Sequence, residues 1–495
     1  MLNNYYRYRA YEMLPGIIVW TILIGSVLLT FFKPLWAIYL IILFDIYWVL
    51  RVLNYSFYLI LSWLRFQKVK KIDWKGELEN SSLAWQSKKH VIFLTLYKEE
   101  WGVVQTAIAS IAKAVYTKEQ FVLVIAGEGR VQEHVAAITE KIQKNYADVF
   151  ADIVSVIHPD GLADEIPGKG SNLHYSEQYM KEYIDAKQWD YAEVIATIFD
   201  IDTICDPQYF SYLTFLYCSS PNPTRTSFQP IALFNNNIWE SPAILRIMSF
   251  GTTFWILMGA ARQDVLVTFS SHSMSWKALV DVGFHDKRIV SEDSRIFYQC
   301  LLQYNGEYTV TPMYVAVSMD TVRDDKWWKS IKNLYKQQRR WAWGVEHVPY
   351  LIWEFRKKGN AMPLYKKLKW IFVELEGKVS WCCVAILITI LGWLPMYTAS
   401  EEVRQSALFL NTPHVLSTLM TAALLGLFLS AFFSMFLLPK KPDNKGRYTY
   451  VFMLFQWALM PFTMIAVSAI PAIDAVTHLL FGKYLGFNVS QKKRK

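Results

Sequence analysis

The chain has 495 residues, 53% of them hydrophobic and 16% aromatic, with a formal net charge of +9. That length allows one large or two to three ordinary domains, and the apolar share exceeds that of an ordinary soluble protein. The cations cluster beside apolar runs (Lys68, Lys70, Lys71; Arg356, Lys357, Lys358; Lys440, Lys441, Lys445), which fits membrane flanks and argues against a nucleic-acid partner.

Gly16 to Phe32 and Leu35 to Leu64 are apolar runs long enough to cross a bilayer, separated by Lys33-Pro34. Arg7 and Arg9 precede them and Lys68 to Lys71 follow, so a helical hairpin with both ends inside is expected. Asn3 to Arg9 is polar and no small-residue cleavage site follows, so no cleaved signal is expected. Asp45 and Arg51 interrupt the second run. Such charges line a path or form a pair.

From His90 the pattern changes. Val91–Leu94, Phe121–Ile125, Val154–Ile157 and Val194–Phe199 are short β-branched runs, with helical periodicity at Trp101–Ala114 and before Val154. Alternating strands and helices predict an α/β fold of parallel βαβ units, with ligands at the carboxyl ends of the strands. Arg295–Gln303 reads as a helix, Tyr308–Val317 as a strand and Trp327–Phe355 as an interfacial amphipathic segment. Val379–Pro395, Val415–Leu438 and Tyr450–Ile470 are candidate spans, with Pro471–Phe481 an interfacial or re-entrant piece before the basic Gln491–Lys495 tail. The basic loop after the second of these spans is expected inside. The five cysteines form no CxxC and read as reduced thiols.

Three motifs carry chemistry. Asp200-Ile201-Asp202 closes the fourth strand candidate, and two carboxylates at i and i+2 can share Mg²⁺ or Mn²⁺. The plainer reading is a pair of loop carboxylates capping a turn. Ser291-Glu292-Asp293 precedes a helix, where it can cap the free N–H groups or supply Asp293 as a general base. Gln337-Gln338-Arg339-Arg340-Trp341 places Gln337 and Arg340 or Trp341 on one helix face. There Arg340 can grip a diphosphate and Trp341 can stack on a sugar; the same residues also suit an interfacial belt. Pro167-Gly168-Lys169-Gly170-Ser171-Asn172 lets backbone N–H groups approach phosphate, without P-loop spacing, or is simply a turn.

In this order the motifs resemble those of the membrane-bound family 2 glycosyltransferases, the group containing cellulose, chitin and hyaluronan synthases. Thr95 to Glu100 stands where the family has its first strand and an Asn-Glu pair, with Lys98 for Asn beside Glu99. Lys169 to Leu173 is similar to the family's Lys-x-x-x-Leu-Asn loop. Asp200 and Asp202 match its DxD, and Ser291 to Asp293 its Thr-Glu-Asp with Ser for Thr. Gln337, Arg340 and Trp341 match QxxRW. Where the family holds the nucleoside with an aspartate, this chain has Ala126-Gly127-Glu128-Gly129-Arg130, with Glu128 the carboxylate available.

The resemblance implies a GT-A fold, inverting transfer and a Mg²⁺ or Mn²⁺ cofactor. It implies a UDP-linked sugar donor bound by Thr95, Glu99, Glu128, Lys169, Asp200 and Arg340. Asp202, with Asp200, would hold the metal. Asp293, beside Glu292, would be the base, and Trp341 and Gln337 would meet the acceptor. The acceptor would be a glycan or a lipid-linked sugar. The expected domains are a transmembrane hairpin (1–66), a cytosolic catalytic domain (67–326), interfacial helices (327–375) and a C-terminal transmembrane region (376–495). The whole would be a multi-pass protein of the plasma or inner membrane. The leading expectation is polysaccharide extension with translocation. Its alternatives are single transfer onto a lipid and an inactive membrane transporter or scaffold.

Overall fold

A computed structural model describes residues 2–357, 359–446 and 448–486. Lys358 of one basic flank and the tail from Phe487 onward lie outside the described residues. Strands β1 (Lys89–Leu96), β2 (Phe121–Glu128), β3 (Asp152–His158), β4 (Val194–Asp200), β5 (Ile204–Cys205), β6 (Thr226–Leu233), β7 (Ser273–Ser275) and β8 (Thr309–Ser318) form one sheet. Their order is β3-β2-β1-β4-β7-β6-β8-β5.

The first four strands are parallel, as their uninterrupted apolar runs predict: Val91 to Leu94 and Phe121 to Ala126 are wholly buried from both faces. β7 then runs antiparallel between β4 and β6, so the sheet is mixed rather than purely parallel. Helices Trp101–Ala112, Gln132–Tyr146 and Tyr209–Ser219 cover one face. Helices Lys169–Ala186, Trp276–Asp281 and Glu292–Gln303 cover the other. Two separate apolar cores result.

Register sets the working edge. Thr95 is paired with Ala126 on one side and Asp200 on the other, and Glu128 with His158. Thr95, Glu128 and Asp200 therefore stand together at the carboxyl ends of three neighbouring strands.

Among the described residues, five helices are long and apolar enough to cross a membrane: Asn4–Phe32, Pro34–Val69, Ala243–Ala260, Ala407–Phe436 and the run Thr449–Leu480. The pair Leu364–Thr389 and Leu391–Thr398, bent by 43°, would make a sixth. Pro471–Phe481, expected as an interfacial or re-entrant piece, continues the helical run that begins at Thr449 and ends at Leu480, after a π-turn at Ile465–Ala469. The domain limit expected at 375/376 falls inside the Leu364–Thr389 helix. Arg51 pairs with Glu376 at 2.6 Å rather than with Asp45, whose Oδ1 has no hydrogen-bond partner among the described residues. Ala243–Ala260 has no counterpart in the sequence reading. It packs on the sheet, and Thr253 donates to the Ala232 carbonyl at 3.0 Å. All five cysteines are free.

Candidate active site

The Lys169–Ala186 helix opens directly on the acidic signatures. A Cβ on Gly170 would stand 3.1 Å from the Asp286 carbonyl oxygen and 3.3 Å from the Glu292 Cβ, so only glycine lets this helix start approach the Ser291-Glu292-Asp293 turn so closely. Ser171 ties the loop back, its hydroxyl donating to the Ile166 carbonyl at 2.9 Å. Asn172 donates to the Ala126 carbonyl of β2 at 2.7 Å. The loop read as a possible phosphate cradle is thereby fixed against both the sheet and the acidic turn.

Lys169 is the hub. Its ammonium lies 2.7 Å from Asp200 Oδ1, 2.9 Å from Asp293 Oδ1 and 3.7 Å from Glu292 Oε1. Burial alone would lower the Lys169 pKa, but the charges of Asp200, Asp293 and Glu292 raise it well above the ordinary value. Asp200 also accepts from Ser270 Oγ through Oδ2 at 2.6 Å, and Thr268 donates to the Asp293 carbonyl at 2.5 Å. Glu292 is buried. Burial and its neighbour Asp293 push its carboxyl up to about 7, against Lys169 and Arg340, which hold it down. The charge of the third signature's arginine thus reaches the second signature.

Asp202 is wholly buried, and its Oδ2 accepts from the Asp320 backbone N–H at 2.8 Å. Glu99 folds back to accept from the Tyr97 N–H at 2.8 Å. Glu128, also buried, is bound by Arg130, whose guanidinium lies 5.0 Å from the Tyr97 ring centroid. These two carboxylates stand at the outer, β2 side of the site.

Helix Trp327–Ala342 divides its two arginines. Arg340 acts toward Glu292, whereas Arg339 reaches Asp474 of the last helix at 3.0 Å, where Tyr335 donates at 2.9 Å. Trp341 packs edge-on against Phe269 at 5.7 Å and at a tilt against Phe234 at 5.8 Å, and with Gln337 it lines a small pocket below them. The following turn is locked to the acidic signature: Ser291 Oγ donates to Glu346 Oε1 at 2.5 Å, and Ser294 meets His347 Nε2 at 2.7 Å.

Asp200, Glu292, Asp293 and Lys169 therefore share one site, with Thr95 beside Asp200 in register, and the charge of Arg340 acts on Glu292. Asp202 lies beneath it. Sequence reading missed Ser270, Thr268, Glu346 and His347. No spacing announces them, because each reaches the site from a separate segment.

The family model described as glycosyl transferase family group 2 matches residues 195–470, more than half of the chain. Among solved structures the chain is similar to the mannosyltransferase PcManGT from Pyrobaculum calidifontis in complex with GDP-Man and Mn²⁺. The identity is 13% over 84% of this chain and 97% of that one, with a TM-score of 0.42. It is also similar to a 1–349 fragment of TarS from S. aureus in complex with UDP-GlcNAc, at 11% identity over 81% and 94% of the two chains, with a TM-score of 0.35. No curated protein matches.

Proposed function

The chain belongs to glycosyl transferase family group 2, and from that premise we propose an inverting, metal-dependent enzyme that extends a polysaccharide from a UDP-linked sugar at the cytosolic face of a membrane. One observation carries the reading: Lys169 brings Asp200 and Asp293 to one ammonium, at 2.7 and 2.9 Å. The strand-end and helix-start carboxylates thus serve a single reacting centre.

In this reading the acceptor hydroxyl gives its proton to Asp293 as its oxygen bonds to the anomeric carbon. The bond from that carbon to the diphosphate breaks, and the diphosphate leaves with the electron pair. Asp293 is partly exposed while Glu292 beside it is buried with a raised pKa, so Asp293 is the better placed base. Lys169 keeps it oriented, and Arg340 draws on the departing diphosphate. Trp341, on its apolar bed of Phe234 and Phe269, gives the acceptor sugar a flat surface.

Asp200 and Asp202 are the residues that would hold the dication. Among the described residues no group of three His, Cys, Asp or Glu side chains converges as a metal cage. The donor set is a pair of hard carboxylates, and that suits Mg²⁺ or Mn²⁺, which keep phosphate and water as their other ligands. When bound, such an ion neutralises the diphosphate. The membrane reading rests on the helices long enough to span, and polysaccharide extension on the link from the Trp341 helix to Asp474 in one of them.

Purified full-length protein is tested with a panel of UDP- and GDP-sugars and Mn²⁺ or Mg²⁺, following nucleotide release and sizing the product. Release that needs the dication, with a ladder of lengthening product, is expected. Unchanged release in EDTA removes the metal, and a single sugar on a lipid replaces extension by single transfer. Asp293→Asn is expected to cut turnover by about 10²–10⁴-fold with donor binding nearly intact; full turnover removes Asp293 as base.

A further inference from the structure

Ser291 stands at the N-cap of the helix Glu292–Gln303, so Glu292 and Asp293 are the first two residues of that helix. An N-cap serine ordinarily turns its hydroxyl onto the free N–H groups of its own helix. Ser291 makes no such cap. Its Oγ–H reaches across the chain instead and donates to Glu346 Oε1 at 2.5 Å. Glu346 Oε2 accepts from the Trp343 indole N–H at 3.0 Å. One carboxylate thus joins the acidic turn to the short turn Trp343–Glu346, which follows the helix that carries Trp341.

A second link grips the other side of the same two carboxylates. Ser294 Oγ is 2.7 Å from His347 Nε2, and Arg295 Nε–H donates to His347 Nδ1 at 3.2 Å. A guanidinium only donates, so Nδ1 is the bare acceptor and Nε2 carries the hydrogen. Burial, with the charges of Arg295 and Lys378, holds His347 well below its ordinary pKa, so the ring is neutral, as this arrangement requires. Nε2–H therefore donates to Ser294 Oγ, whose own hydrogen goes to the Ser291 carbonyl at 3.2 Å. Arg295 is itself fixed, 3.6 Å from Asp286 Oδ2 and 3.8 Å from the Tyr350 ring centroid. Each hydrogen along this line has one direction, and the line ends on the acidic turn.

These bonds add what packing does not. Val290, just before Ser291, already shares an apolar cluster with Ala342, Trp343 and Val345. Apolar contact holds two elements together without setting an angle between them. Hydrogen bonds are directional. One of them takes the residue before Glu292-Asp293 and the other the residue after it. The dipeptide is thereby fixed in rotation as well as in distance against the segment that continues from Trp341.

We propose that Glu346 and His347 are positioning residues for the transfer: by gripping Ser291 and Ser294 they fix the base Asp293 relative to the acceptor surface of Trp341, so that the acceptor hydroxyl meets the base in line. The inference rests on the readings of Asp293 as base and Trp341 as acceptor surface given above. Water is small and needs no such surface. Loosening the grip should therefore impair transfer to the acceptor sugar more than hydrolysis of the donor.

The test uses the full-length protein in detergent with Mn²⁺, measuring nucleotide release and sugar incorporated into product in the same reaction. UDP-glucose is the first probe, replaced by the fastest sugar nucleotide of the panel where UDP-glucose is not turned over. S291A and S294A remove one hydroxyl from each link, and E346A and H347A remove the opposite partner. A fall of about tenfold in kcat for transfer is expected, with donor KM within about twofold of the wild type. Sugar incorporated per nucleotide released should fall by about threefold or more. S291T and S294T keep the hydroxyls and should restore both values. The S291A/E346A double variant should lose no more than the worse single variant, because both changes break one bond. A wild-type ratio of incorporation to release in the folded variants, or losses that multiply in the double variant, overturns the proposal. Should E346A or H347A fail to fold, S291A and S294A decide by their ratios. Full transfer by D293N or W341A removes the underlying reading and this inference with it, whereas impaired D293N and W341A beside wild-type ratios in the others removes only the positioning role.

Discussion

Glu292 and Asp293 are adjacent, yet their surroundings separate them. The Glu292 carboxyl is pushed from 4.5 up to about 7 by burial and by Asp293, so the folded protein holds this proton more tightly than the unfolded chain does. The stabilisation that follows is complete below about 4.5 and is lost as pH rises through about 7. The melting temperature of the free protein should fall between pH 5 and pH 8, and E292Q should flatten that fall by a few degrees. Equal slopes in thermal melts of the two proteins would show that Glu292 does not carry this proton. The acidic residues and Arg340 were legible in the sequence as motifs. The ion pairs that draw the carboxylates together were not, because Lys169 meets Asp293 across 124 residues. Nor was the burial of Asp202, whose carboxylate accepts from a backbone N–H of a different segment.

At the scale of elements, contact between the Lys169–Ala186 helix start and the acidic turn decides whether the site assembles. Gly170→Ala adds a methyl group 3.1 Å from a backbone oxygen that can retreat only with its loop. The expected cost is about 1 kcal/mol in denaturant melts, with a loss of turnover larger than that stability change explains, since Lys169 is moved off Asp293. Wild-type turnover in a folded G170A protein would show that the close approach is not needed. The four parallel strands were readable because each is a long apolar run. β6 was hidden by Gln229 and Pro230 within it, and β5 and β7 are two and three residues long, too short for any periodicity. The Ala243–Ala260 helix escaped for a different reason: it is apolar enough to span but spends one face on the sheet.

For the whole molecule, the long apolar helices and the sheet are held by specific joints. Helix Ala407–Phe436 lies along Pro34–Val69, close enough that a Cβ on Gly426 would stand 2.6 Å from Val52 Cγ1. Just past its end, the Leu437 carbonyl accepts from Asn235 at 2.9 Å and the Pro439 carbonyl from Trp239 at 3.3 Å, both on the segment after β6. The basic loop at Lys440–Lys445 therefore lies beside the sheet domain, and the Glu401–Arg404 turn stands at the other end of the Ala407–Phe436 helix, which on the proposed reading spans the membrane. A cysteine at Lys445 should react with an impermeant maleimide only in inside-out vesicles, and one at Glu402 only in right-side-out vesicles. Labelling of both from the same side would overturn the topology.

The Arg9 guanidinium donates to the carbonyls of Leu479 and Leu480 at 3.0 and 2.8 Å, and Trp20 donates to Thr477 at 3.0 Å. These partners leave the ribosome more than 450 residues apart. The packing of Leu2–Phe32 against Ile470–Leu480 can therefore form only after both segments have been made; until then Arg9 has the partner within its own helix, Glu12 at 2.5 Å.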